Sequence, residues 1–288
     1  FLTSRRASIA SSIPPPATTA RSTAPCNLLS KAAFSAADPA KVYRIAFPTA
    51  ETGFDPARVS DLYSNTINEA IFERLLTYDY LARPAKLVPM IAEAMPQVTG
   101  NGQVYTFRIR KGVHFTPDPA FKGRKRELVA GDFAYAIKRQ ADPKNRSPWA
   151  FMVERKIAGL DALIEQAKKT GKFDYDAKIP GLETPDPHTL VVRLVAPDYL
   201  FNYTVAHVPF GAMAREVVEA YGVDIGAHPV GTGPYVLKEW KRASRIVLER
   251  NPSHQSSFDA EPSADDAAGV AMLNKLRGRA LPMVERVE

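Results

Sequence analysis

The sequence predicts a mixed α/β fold, and three observations carry that prediction. Apolar residues make up 45% of the 288 positions, enough for a sizeable core. Segments with the two-residue alternation of strands are interleaved with segments of helical three-to-four spacing. The interleaving has no regular strand–helix–strand rhythm and no internal repeat, which argues against a simple doubly wound sheet.

The first strand is expected over Val42–Phe47, with Tyr43, Ile45 and Phe47 on one side and Arg44 on the other. Gly53 and Pro56 mark a turn after it. Asn65–Leu76 reads as a helix whose buried stripe is Ile67, Ala70, Ile71 and Leu75. Thr99-Gly100-Asn101-Gly102 turns the chain into an alternating strand, Val104–Arg110, and Lys111-Gly112 turns it again. Helices are expected over Ala130–Gln140, with Asp132 near its start, and over Leu160–Lys169, stopped by Gly171. Asp186-Pro187 precedes a strand over Thr189–Leu194, and Arg215–Tyr221 is a short helix ended by Gly222. Val236–Trp240 and Ile246–Arg250 read as paired strands around Lys241–Ser244, and Leu281–Glu288 as a turn feeding a strand.

Composition excludes several classes. No run approaches the ~20 apolar residues of a membrane-spanning helix. Cys26 is the sole cysteine, so neither a disulfide framework nor a multi-cysteine zinc site is possible. The net charge of +7 is spread thinly, four basic groups against one acidic in the first 40 residues and a surplus of four over the other 248. The densest cluster, Lys122-Gly123-Arg124-Lys125-Arg126, reads as a solvated loop, so no nucleic-acid partner is expected.

Residues 1–40 are rich in Ser, Ala, Thr and Pro and read as a disordered leader or the remnant of an export signal. Cys26 invites a lipid-anchor reading, against which Pro25 counts. Phe1 in place of Met and the abrupt stop at Glu288 are the ends expected of a fragment.

No catalytic constellation is visible, and no enzyme activity is expected. Five histidines (His114, His188, His207, His228, His254) lack metal-ligand spacing. There is no Gly-x-Ser-x-Gly elbow. Gly231-Thr232-Gly233-Pro234-Tyr235 lacks the ending of a phosphate loop, and Pro234 removes an amide such a loop would use, so a tight structural turn is expected. Asp259, Glu261, Asp265 and Asp266 offer oxygen ligands but not the spacing of a calcium loop, and read as a solvated acidic segment. No metal or cofactor is expected.

Five passages, in order, resemble the family 5 solute-binding proteins of bacterial ABC importers, the oligopeptide- and dipeptide-binding class. They are Gly53-Phe54-Asp55-Pro56; Phe72–Asp79 with Leu87–Glu93; Tyr105–Phe115; Val129–Arg139; and His228–Tyr235, leading through Trp240 to Leu248–Pro252. The resemblance implies a periplasmic-binding-protein-like type II fold. A first lobe would comprise 41–60 and 185–288, with a subdomain inserted at 61–184. The second lobe, with the acidic residue that pairs with a peptide's amino terminus, would be missing beyond Glu288. It further implies a monomeric, periplasmic receptor that binds peptides without chemistry and passes them to the permease subunits of an ABC transporter. Alternatives are another solute (nickel, haem or a sugar) or the sensor domain of a regulator, whose helix-turn-helix finds no periodicity in residues 1–40. By position, the resemblance places Glu51, Ser60, Trp149 and Phe151 at the ligand. A carboxylate there would meet an ammonium group and an aromatic would wall a side-chain pocket. The competing reading makes Glu51 a solvated turn and the two aromatics core residues.

Overall fold

The structure, a computed structural model, describes residues 38–288. The expected leader lies outside the described residues apart from Asp38–Ala40, and Cys26 lies outside them altogether.

The chain opens with β1 (Asp38–Tyr43), earlier than the expected Val42–Phe47. Its register is set by a parallel partner, β12 (Val284–Val287), with Val42 opposite Arg286 and Tyr43 opposite Val287. The last bond runs from the Ile45 amide to the Glu288 carbonyl, so the expected strand residues beyond it leave the ladder. α1 (Leu62–Ile71) starts at Asp61, whose side chain accepts from the Ser64 amide at 2.7 Å. It stops five residues before the expected Leu76. The carbonyls of Arg74 and Leu75 accept instead from the amides of Met90, Ile91 and Ala92, and this cross-chain pairing overrides the helical spacing. Leu75 is still buried, but at a bend outside the helix.

β2 (Leu76–Tyr78) and β3 (Leu87–Pro89) form a small hairpin. β4 (Gln97–Thr99) and β5 (Val104–Arg108) flank the expected turn. α2 (Ala130–Ala141) begins where Asp132 accepts from the Val129 amide at 2.8 Å. α3 (Leu160–Thr170) ends at Gly171 as expected. β6 (Leu182–Asp186) was not anticipated; four of its five side chains are exposed, so it lacks an alternating pattern. With β7 (Thr189–Arg193) it completes an antiparallel sheet ordered β4-β5-β7-β6. The expected lobe boundary at 184/185 falls inside this β6–β7 hairpin, whose strands are tied to β5 by the β5–β7 ladder.

α4 (Phe201–Val205) and α5 (Arg215–Tyr221) lead to β8 (Tyr235–Lys241) and β9 (Arg245–Arg250). Beyond them come β10 (Ser256–Ser257), α6 (Ala267–Leu276) and β11 (Ala280–Leu281). The acidic segment is therefore partly structural: Asp266 caps α6 by accepting from the Gly269 amide at 2.8 Å. The second large sheet is ordered β1-β12-β9-β8, with only β1–β12 parallel.

The Gly231–Gly233 segment is a tight structural turn under the end of α1. The Gly233 amide donates to the Ile71 carbonyl at 2.8 Å. A Cβ on Gly231 would sit 2.0 Å from that same oxygen, so only glycine fits. The core is continuous, with Phe54, Phe72, Tyr105, Phe107, Phe133 and Phe201 among its largest buried side chains. Among the described residues no helix is long and apolar enough to cross a membrane.

Candidate functional site

A cleft of about 480 Å³ opens beside the β1-β12-β9-β8 sheet, lined by the stretch after β1 and by the β8–β9 turn. Ile45, Phe47, Ile67, Ile246 and Leu248 supply apolar walls, while Glu51, Arg245 and Glu288 supply charge. Phe47 leans on Tyr63 of α1, ring centroids 4.7 Å apart. Glu288 bridges the rim, its carboxylate meeting Arg44 and Arg245 at 3.1 Å each.

Glu51 is only 4% exposed. Its Oε1 accepts from the Trp240 indole Nε1 at 2.5 Å and from the Ala243 amide at 3.1 Å. Among the described residues its Oε2 has no hydrogen-bond partner. Burial pushes this carboxyl up, but the hydrogen bond from Trp240, its own backbone amide and that of Ala243, with Arg242 nearby, outweigh burial and hold its pKa below the ordinary glutamate value. Glu51 is thus an ionised carboxylate fixed through one oxygen, which suits it to receive an ammonium or guanidinium group.

The loop carrying Glu51 is fastened along its whole length. Gly53 adopts φ +139°, a conformation few L side chains share. The Thr52 amide donates to Ser64 Oγ at 3.0 Å, and its hydroxyl to Asp61 at 2.5 Å. Phe54 packs on the Trp240 ring with centroids 4.8 Å apart. Asp55 forms a bidentate pair with Arg139 of α2 at 2.7 and 3.0 Å, both side chains 3% exposed. Trp149 donates its indole N–H to the Val59 carbonyl at 2.8 Å. Its other face meets the His207 ring at 4.5 Å. Burial, with Arg74 adding to it, lowers the His207 pKa, so a neutral imidazole packs there.

Of the four residues placed at the ligand by resemblance, Glu51 alone lines the cleft. Trp149 is brought against the Val59–Ser60 turn, where Ser60 is exposed; Phe151, at 66% exposure, stands open to solvent. Glu51 is not a solvated turn, and Phe151 is not a core residue. Sequence reasoning missed Trp240, Ala243 and Arg245 as parts of the site. The available signal was one of two tryptophans in the chain, placed beside a predicted turn in a polar strand.

The family model described as "Bacterial extracellular solute-binding proteins, family 5 Middle" matches residues 86–267. The chain belongs to this family. Family 5 relatives include the periplasmic oligopeptide-binding protein OppA of Escherichia coli K12, 29% identical over 204 residues, which are 69% of this chain and 34% of OppA. Another is the glutathione-binding protein GsiB of Escherichia coli O1:K1, 26% identical over 83% of this chain and 41% of GsiB. The fold matches Haemophilus influenzae OppA in complex with the peptide RPPGFSPFR, at TM-score 0.63 and 25% identity, over 76% of this chain and 40% of that one. It also matches the substrate-binding domain of a Bacillus anthracis oligopeptide ABC transporter at TM-score 0.62 and 24% identity, over 75% and 39%. The mixed α/β architecture is therefore that of the OppA-type periplasmic binding proteins, of which this chain spans about two-fifths of the length. The family is one of solute-binding proteins.

Proposed function

We propose that this chain carries one wall of the ligand site in a peptide-binding component of an ABC importer. The component works in the periplasm as a monomer, binds peptides without altering them, and presents them to permease subunits. The observation that carries this reading is the fixed, ionised Glu51 in an apolar-walled cleft, in a fold shared with a peptide-bound OppA. Apolar walls accept side chains of many shapes, while a held carboxylate orients a cationic group. Ser60, Trp149 and Phe151 form a second contact region on the other side of the same loop. There Trp149 supplies a rigid aromatic face, and Phe151 an exposed one. The first lobe is built on the β1-β12-β9-β8 sheet, and the insertion expected at 61–184 carries the β4-β5-β7-β6 sheet, whose β6–β7 hairpin takes it past 184.

The test is backbone amide NMR of the 288-residue chain titrated with trialanine, trilysine and glutathione, since such spectra register weak binding. Peptide binding moves the signals of Ile45–Glu51 and Ala243–Ile246 in a saturable way. If none of the three moves them, the peptide reading is refuted.

A further inference from the structure

We propose that Trp240 is a positioning residue: its indole N–H holds Glu51 in place and makes the cleft select for cationic over neutral peptides. The inference rests on the peptide reading of this cleft and assigns the origin of its charge selectivity. Three observations support it.

First, the 2.5 Å contact from Nε1 to Oε1 joins an indole, a donor that cannot accept, to an acceptor-only carboxylate. The contact therefore favours the ionised form of Glu51, and the Ala243 amide on the same oxygen acts in the same sense. Second, Trp240 is itself immobilised. It lies within the β8–β9 ladder, opposite Ile246, and its ring packs on buried Phe54. Third, both bonds use the same oxygen, which leaves Oε2 as the group to meet a ligand cation. The other charged groups around Glu51 are Arg242 on the β8–β9 turn, Arg245 at the start of β9, and Glu288 with Arg44 at the rim. Glu288 meets Arg44, Arg245 and Arg286, so the rim keeps a net positive charge, and attraction of a ligand cation falls to Glu51 on the floor.

The chain has two tryptophans, which makes the inference directly readable. The indole N–H of Trp149 donates to the neutral Val59 carbonyl, and that of Trp240 to a titratable carboxylate. In a ¹⁵N–¹H spectrum of the wild-type chain, one indole signal is expected to move as acid protonates Glu51, and the same signal to move in Glu51→Gln. The Trp149 signal, identified by its loss in Trp149→Phe, does not respond to Glu51→Gln, and on acidification it follows the His207 ring on which it packs rather than Glu51. In Trp240→Phe the preference for trilysine over trialanine falls about tenfold, the effect of losing one hydrogen bond to a charged group. The acid limb of trilysine binding also moves to higher pH, which a merely structural tryptophan would not cause.

Should Trp240→Phe fail to fold, the wild-type titration and Glu51→Gln decide on their own. A Trp240 indole signal that stays fixed both on acidification and in Glu51→Gln overturns the positioning role, even with peptide binding intact. An unchanged peptide preference in folded Trp240→Phe overturns the selectivity. Absence of all peptide binding refutes the reading on which the selectivity rests, and the indole titration distinguishes that failure from loss of the Trp240–Glu51 contact.

Discussion

The Asp55–Arg139 pair fastens the ligand loop to α2 and allows a quantitative test. Both side chains are 3% exposed, and the guanidinium meets both carboxylate oxygens, at 2.7 and 3.0 Å. Removing either partner takes the bidentate counter-charge from the other inside the core, which costs about 3–5 kcal/mol; Asp55 would keep only the partly exposed Arg58 at 3.5 Å. Asp55→Asn and Arg139→Met should therefore each lower the melting temperature by roughly 6–20 °C, at about 2–4 °C for each kcal/mol in a chain of this size. Replacing both, as Asp55→Leu with Arg139→Met, removes the two charges together. What remains is the partly exposed Arg58, which turns to solvent, and the Ala57 amide, which now donates to Asp55 Oδ1 at 3.1 Å and would lose its acceptor, at a cost of about 1–3 kcal/mol. The double variant is thus expected to be more stable than either single one. Urea unfolding measures this: the midpoints should follow that order with an unchanged slope. A double variant as unstable as the two single effects added would refute the reasoning, because it would mean the groups act independently.

Further outcomes follow from particular contacts. Gly231→Ala forces a Cβ against the Ile71 carbonyl and should lower stability by about 1–3 kcal/mol, whereas Gly131→Ala, exposed at the start of α2 with its nearest neighbour 3.9 Å away, should raise it by about 0.5–1 kcal/mol; thermal melts of both check the contrast. Burial raises the Glu73 pKa above 4.5, although His254 at 3.8 Å opposes the shift. The folded chain thus holds that proton to higher pH than the unfolded one, and the stability so gained is complete below pH 4.5 and lost as pH rises through the folded value. Glu73→Gln removes this loss, so wild type should decline relative to the variant as pH rises above 4.5; a flat difference between their melting curves would refute it. Trp149→Phe deprives the Val59 carbonyl of its donor, and faster amide exchange across residues 57–61 should report a loosened loop.

Elements stabilised by their own neighbours were legible in the sequence. α3 ends at Gly171 because a left-handed residue there satisfies the last carbonyls, and α5 spans its expected Arg215–Tyr221. The β8–β9 hairpin likewise declared itself through two alternating runs around a short polar turn. The misreadings occur where a distant segment decides. The helical stripe of α1 continues in sequence to Leu75, yet residues 90–92 claim the carbonyls of Arg74 and Leu75, and the helix ends at Ile71. β1 takes its register from β12, more than two hundred residues away, and nothing local to Asp38–Tyr43 encodes that pairing.

The site follows the same division. Resemblance singled out Glu51, but the residue's chemistry depends on Trp240, 189 positions later in the chain. Taken alone, a glutamate in a Thr-Ala-Glu-Thr-Gly stretch has the composition of a solvated turn. What makes it a buried, ionised group is the hairpin that delivers an indole and a backbone amide to the same oxygen. Gly53 and the Thr52 contacts to Asp61 and Ser64 set the path of the loop, and Asp55 with Arg139 fixes its far end. The loop is thereby held before a ligand arrives. Such preorganisation reduces the ordering cost of binding, so substitutions at these anchors, though they lie outside the cleft lining, should weaken peptide affinity as well as stability.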